Sequence, residues 1–414
     1  MRLSTLQLPS KRLVASYIFD WIVIAGIAGI GGGFNSLSPY HRPFSLLDLS
    51  ISFPYTVDET CPVWLLIVVA LIAPGAIIFF VCLLFIPGPT ANPRTPKSLI
   101  WRRKFWEWHT GWMGLALSLA TAFLVTEGMK NLFGKPRPDL LSRCNPDLAN
   151  LDQYVVGGNG QDISSRWTLV SWDICQQPDR DRLDDGFRSF PSGHSSFSWA
   201  GLLYLTFFLC SKFSIAIPFL PPRPYSQDPT HTALEREQLQ THPHFHHHQQ
   251  QQQHSHSSNG HKHKTSSGLS SNNSSSTQPA ATTTTNTSSP GLPIVPIRNQ
   301  AAAPPTWTLA LFFVPVGAAI WISASRYHDF RHHGFDIITG ALIGAACAWA
   351  AFRWYHLPVR QGAGWAWGAR SRERAFAVGV GVGSYVGVEG WASARAGVRE
   401  REREPDLEAA VQGQ

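Results

Sequence analysis

The chain has 414 residues, with 34 Lys and Arg against 27 Asp and Glu for a formal net charge of +7, yet only 15% of residues are charged and Trp alone numbers 16. About 25% charged residues is usual for a soluble globule, so this composition argues against one. The basic excess is scattered between apolar runs, which disfavours nucleic acid as a partner. The six dispersed cysteines contain no C-x-x-C pair, which disfavours a disulfide scaffold and a thiol-based zinc or redox centre.

Taken in chain order, residues 1–12 place Arg2, Lys11 and Arg12 before an apolar run that lacks a small-residue cleavage site, so the run is expected to be a retained helix. A spanning helix needs about 20 mostly apolar residues. Six stretches qualify: 13–30, 63–86, 110–125, 195–211, 307–325 and 334–352. The first contains Asp20, which is expected to face the bundle interior against a polar neighbour. Residues 221–305 interrupt the series with a tract that holds 10 of the 17 histidines, followed by Ser, Thr and Asn runs. Such a composition buries too little to fold and predicts disorder. The His-rich tract reads as low-complexity expansion rather than a metal site, and no catalysis is assigned to it. From 356 to 414 the tail carries Arg interleaved with Glu, and its Gly-rich run 375–392 is counted as tail rather than as a seventh span.

With six spans both termini share a side. Arg2, Lys11 and Arg12 lie there with Arg94, Lys97, Arg102, Arg103 and Lys104, whereas the loop joining spans one and two has only Arg42. The positive-inside bias therefore predicts cytosolic termini and a cytosolic insertion. Cys144 and Cys175 then fall in a lumenal or extracellular loop, where they are able to pair.

Three polar clusters meet on that same face. In "KNLFGKPRP", Lys130 follows span three and Arg137 with Pro138 comes seven residues on; Gly134 and Pro136 are expected to stop the helix so that both cations fold back. In "FPSGHSS", Pro191, Ser192, Gly193 and His194 open span four, and a helix N-terminus favours a phosphate. Ser192 reads equally well as an N-cap. In "SRYHDFRHHGFD", Ser325 and Arg326 precede His332 and Asp336, which share a face if the segment is helical, so that the carboxylate fixes the imidazole. Periodicity alone does not choose among His328, His332 and His333. A metal site from His328, His332 and Asp336 is a physical alternative, disfavoured by the arginines beside it. Together the clusters amount to a phosphoryl-transfer site, in which several fixed donors meet the charge on the equatorial oxygens.

These residues resemble the type 2 phosphatidic acid phosphatase superfamily, whose motifs K-x6-R-P, P-S-G-H and S-R-x5-H-x3-D are matched without substitution. Lys130, Arg137 and Pro138 match the first, Pro191 to His194 the second, and Ser325, Arg326, His332 and Asp336 the third. The flanking "RPDLLSRCNPDL", "DICQQ" and "HHGFDIITGALIG" are most similar to the fungal diacylglycerol pyrophosphate and lipid phosphate phosphatases. The resemblance implies an all-α six-helix membrane bundle with its site at the lumenal or extracellular face, spans one to four in 13–220 with a catalytic loop 130–194, and spans five and six in 306–355. It also implies a metal-independent reaction without cofactor: His332 forms a phosphohistidine, Asp336 orients it, His194 protonates the leaving group, and Lys130, Arg137, Ser192, Gly193 and Arg326 hold phosphate. Implied substrates are diacylglycerol pyrophosphate, phosphatidate and lysophosphatidate, in an endomembrane or the plasma membrane. Sphingoid-base or polyprenyl phosphatases share the architecture, and a non-catalytic headgroup-binding scaffold is the alternative from another class.

Overall fold

The computed structural model describes residues 10–88, 95–164, 167–218, 302–360, 364–372, 374–376 and 385. Nearly all of them belong to the first of two units into which the chain divides, 1–216 with 304–414. The expected insertion up to residue 301 and the tail beyond 376, apart from residue 385, lie outside the described residues.

The first helix, α1 (Lys11–Asn35), is capped by Ser10, whose hydroxyl accepts from the Leu13 N–H at 3.3 Å. A second apolar run forms α2 (Val63–Ile67), a π-helical turn (Val68–Ile72) and α3 (Ala73–Phe85) in one continuous rod. Pro74 lacks the N–H that would bond one turn back, and the π turn immediately before it absorbs that break. Helix α4 (Lys97–Phe133) has 37 residues and so runs about 55 Å. It is longer than the expected span 110–125 because its charged N-terminal turns, from Lys97 to Lys104, continue the helix beyond the apolar part.

Two short helices, α5 (Leu140–Cys144) and α6 (Arg180–Gly186), and a two-stranded antiparallel pair, β1 (Val155–Gly157) with β2 (Leu169–Val170), fold the long loop after α4 into a small cap. Its core joins Phe44, Ile51, Leu140, Val170, Ile174, Leu183 and Phe187 around the Cys144–Cys175 disulfide.

Helix α7 (Gly193–Lys212) is followed, after the insertion, by α8 (Leu309–His328) and α9 (Gly334–Tyr355). Among the described residues five helical segments are long and apolar enough to cross a membrane: Lys11–Asn35, Val63–Phe85, Lys97–Phe133, Thr306–His328 and Gly334–Tyr355. The sixth long helix, α7, is more polar because it is central and packs against α4, α8 and α9. Its buried hydroxyls are satisfied inside the bundle: Ser195 donates to the Ile337 carbonyl at 2.8 Å, and Thr126 reaches Ser196 at 2.8 Å. Such polar contacts hold helices together where lipid supplies no hydrophobic drive. Conversely, Ile22, Leu84, Val314, Leu342 and Trp349 are exposed around the rods, as lipid-facing residues must be. Among the described residues the protein is thus an all-α membrane bundle with six long helical segments.

The two ends of the bundle differ. One gathers the end of α4, the start of α7, the α8–α9 turn and the cap. At the other, Glu107 of α4 and Lys212 of α7 form a buried ion pair that also holds Gly364 and Ala366, while Arg370 grips Asp20 at 2.6 Å. The polar partner expected for Asp20 is therefore an arginine of the segment after α9, which folds back under the helices.

Candidate active site

Each element positions one part of the site. Helix α4 stops at Gly134, which has φ +54° and lies so close to the Tyr40 carbonyl that a Cβ would stand 1.8 Å from it; only glycine turns the chain here. Lys130 thus points from the last helical turn, and Arg137 returns towards it from the start of the cap. Ser192 caps α7, accepting from the Ser195 N–H at 3.4 Å. Gly193 opens the helix where amides lack intrahelical acceptors, and a Cβ on it would come within 2.9 Å of the Lys130 ammonium. That distance sets the first and second motifs side by side.

The three expected cations are braced by carboxylates from outside the motifs. Lys130 pairs with Glu127 at 2.6 Å, Arg137 with Asp185 at 2.7 Å, and Arg326 with Glu59 at 3.1 Å. Arg137 is almost wholly buried, and burial pulls its guanidinium down to about 10 against the opposing pull of Asp185, which leaves it a cation at neutral pH. Behind it, Arg143 bonds both Asp139 and Asp185, and Arg331 pairs with Glu59 at 2.9 Å. The guanidiniums of Arg143, Arg182 and Arg331 all pack on the Tyr55 ring.

Burial separates the three imidazoles of the third motif, His333 lying between the other two with its side chain 23% exposed. The side chain of His328 is 82% exposed, whereas His332 is 2% exposed at the centre of the site. Its Nδ1–H donates to the Ser189 carbonyl at 2.6 Å, which leaves Nε2 as the nitrogen with the free lone pair. Burial, reinforced by Arg137, Arg326 and Lys130, holds this imidazole well below its ordinary value and hence neutral. His194 donates from Nε2 to the Cys61 carbonyl at 3.0 Å, an acceptor it shares with Arg326 at 3.2 Å.

Asp336 departs from the expected contact. His332 precedes the N-cap of α9, so the two residues do not share a helical face. The carboxylate instead completes the capping box of that helix, accepting from the His333 N–H at 3.2 Å, and binds Lys135 at 2.7 Å and the Ser189 hydroxyl at 2.6 Å. The Ser192 N–H, expected as a phosphate donor, is likewise committed to the Asp336 carbonyl at 3.0 Å, which leaves Ser192 its hydroxyl. His328, His332 and Asp336 are not gathered as metal ligands; among the described residues no group of three or more His, Cys, Asp or Glu forms such a cluster.

Several residues of the site carry no motif signal. Glu59, Thr60 and Cys61 come from the turn before α2: Thr60 donates to Asp329 through both its N–H and its hydroxyl, and the Cys61 carbonyl holds His194. Ser189 and Lys135 sit between motif residues. Only Glu127, one turn before Lys130, is readable from spacing.

Fold and site together define a helical membrane protein whose buried neutral histidine is enclosed by cations. The chain belongs to the PAP2 superfamily, which it matches over residues 111–222 and 238–360, more than half its length. It is 26% identical over 316 residues to the probable diacylglycerol pyrophosphate phosphatase 1 of Schizosaccharomyces pombe, covering 76% of this chain and 72% of that protein. To diacylglycerol pyrophosphate phosphatase 1 of Saccharomyces cerevisiae it is 33% identical over 183 residues, 44% of this chain and 54% of the relative. Lipid phosphate phosphatase 1 of Arabidopsis thaliana is 27% identical over 209 residues, again 54% of its length. The chain thus spans about half the length of these last two relatives. No solved structure matches it.

Proposed function

We propose that this protein is an integral-membrane lipid phosphate phosphatase that hydrolyses diacylglycerol pyrophosphate, phosphatidate and lysophosphatidate through a phosphohistidine, without a metal. The observation that carries the reading is His332, buried and neutral, with Nδ1–H spent on the Ser189 carbonyl and Nε2 free. In the first step Nε2 forms a bond to phosphorus as the bond to the leaving oxygen breaks, and His194, protonated from solvent once the phosphate dianion sits beside it, supplies the proton that this oxygen takes. In the second, water attacks the phosphohistidine, His194 takes its proton, and inorganic phosphate leaves with Nε2 restored. Because Nε2–H of His194 is held by the Cys61 carbonyl, Nδ1 is the nitrogen that exchanges the proton. Lys130, Arg137 and Arg326, with the Ser192 hydroxyl and the Gly193 N–H, balance the charge on the equatorial oxygens, work that cations and fixed dipoles do without a metal.

A lipid substrate is supported by the apolar lip beside this site. Phe190 lies 6.0 Å from Phe335 in a stack and 4.9 Å from Phe133, and Phe335 is 68% exposed. The names of the relatives point the same way. The disulfide in the cap favours an oxidising compartment on this face, and the basic residues around Arg102 to Lys104 favour the cytosol on the other, in an endomembrane or the plasma membrane.

The test is phosphate release, in EDTA, by the detergent-solubilised protein and its His332→Ala variant from diacylglycerol pyrophosphate, phosphatidate, sphingosine phosphate and glucose 6-phosphate. Release from the glycerolipids that is lost in the variant is expected. Release by the variant at the wild-type rate, or activity that returns only with added Mg²⁺, overturns the mechanism.

A further inference from the structure

Ser189 has no exposed surface, and all three of its polar groups are committed. Its N–H donates to the Lys135 carbonyl at 3.0 Å, its hydroxyl donates to Asp336 Oδ2 at 2.6 Å, and its carbonyl accepts from His332 Nδ1 at 2.6 Å. Lys135 closes the ring by donating its ammonium to the other Asp336 oxygen at 2.7 Å. The carboxylate, the serine and the lysine therefore form a closed hydrogen-bonded cycle whose one outward connection to the imidazole is the Ser189 carbonyl.

A backbone carbonyl is a weaker orienting partner for an imidazole than a carboxylate, but here the same residue is anchored through its side chain by an ionised group. Hydrogen bonds in such a chain polarise one another, and in a buried site each restricts the freedom of the next. We propose that Ser189 is the positioning residue of the nucleophile, and that Asp336 acts on His332 through Ser189 rather than by touching it. This rests on the reading of His332 as nucleophile. It assigns to a serine outside the three motifs a part of the orienting role that motif matching gives to the aspartate alone.

The experiment uses the full chain reconstituted in phosphatidate-containing mixed micelles, with the variants Ser189→Ala, Ser189→Thr, Asp336→Asn and the double variant Ser189→Ala with Asp336→Asn. Steady-state rates are read alongside the rate at which acid-labile phosphoenzyme forms in a single turnover, per mole of folded protein. Ser189→Ala is expected to lower kcat and the phosphoenzyme formation rate by about 10- to 100-fold, the loss of one hydrogen bond to a charged group, with KM little changed. Ser189→Thr, which keeps the hydroxyl, is expected to recover most of that loss. Because the two side chains act as one unit, the double variant should be no slower than the slower of the singles, whereas independent sites multiply their losses.

Wild-type rates of phosphoenzyme formation in folded Ser189→Ala overturn the inference, as do losses that multiply in the double variant. A fall in folded yield with the rate per folded molecule unchanged also overturns it, because that result marks a merely structural serine. Phosphate release that survives His332→Ala defeats the nucleophile reading itself, and is told apart because it appears with Ser189 intact.

Discussion

Arg326 and His194 meet on a single backbone oxygen, the carbonyl of Cys61, at 3.2 Å and 3.0 Å. A residue before α2, with no motif of its own, thus holds together the cation proposed to bind phosphate and the proposed general acid. The same guanidinium reaches Glu59 and Asp329 through Nη1.

Arg326→Lys keeps the charge but removes the guanidinium N–H groups that Nη1's contacts with Glu59, Cys61 and Asp329 leave over for a phosphate. Losing a hydrogen bond to a charged group costs about 1.5–3 kcal/mol, so kcat/KM for phosphatidate is expected to fall roughly 10- to 100-fold. Initial rates at substrate concentrations well below KM check this, and a value close to wild type would show that charge alone suffices at this position.

His332 is held neutral when folded, its pKa pushed down first by burial and then by Arg137, Arg326 and Lys130. In the unfolded chain it titrates near 6.5. Between the two values the unfolded state binds the extra proton, so stability rises with pH through that window, is complete above the unfolded value, and is lost on acidification. His332→Gln removes this dependence. The thermal midpoint of wild type relative to the variant is expected to decline as pH is lowered from 7 to 5; parallel curves would place the imidazole at its ordinary value.

Cys144 and Cys175 are joined across a sequence separation of 31 residues inside the cap core. On the chain-entropy account a loop of that size contributes about 3–4 kcal/mol. Replacing both by serine should lower the thermal midpoint and loosen the cap that carries Arg137 and Asp185. A maleimide-polymer reagent applied to denatured protein should label two more thiols after reduction than before, and equal labelling would exclude the bond.

At the opposite end, Glu107 and Lys212 are both buried, and the Glu107 carboxylate also accepts from the Ala366 N–H. Lys212→Met leaves that carboxylate unpaired in the bundle, a change that costs about 3–5 kcal/mol in buried pairs. The thermal midpoint in detergent should drop, and adding Glu107→Gln should restore part of it. Specific activity of the folded fraction should stay at the wild-type level, because the pair lies at the far end of α4 from Lys130.

Much of the site was legible because its signals are local. The stop at Gly134, the cap at Ser192 and the long apolar runs depend on residues within a turn or two of each other, and backbone sterics and helix periodicity act over that range. The choice of His332 among three imidazoles came from the resemblance to the family's third motif and not from periodicity, and the structure separates it from His328 by burial. What spacing could not supply was the partner of each imidazole. The contact expected between His332 and Asp336 assumed one helix through both, but the helix begins after His332.

Amino-acid order alone therefore determined the membrane class, the helical segments and the identity of the cations and histidines that meet at one face. Tertiary structure decided who holds most of them: the Ser189 carbonyl on His332, the Cys61 carbonyl on His194, Asp185 on Arg137, Glu59 on Arg326, and Arg370 on Asp20. The physical reason is that every residue has a carbonyl, so an acceptor of this kind leaves no mark in the sequence. Only the packing of α7 against α4, α8 and α9, with the cap folded over their ends, selects which carbonyl and which distant carboxylate come within hydrogen-bond reach.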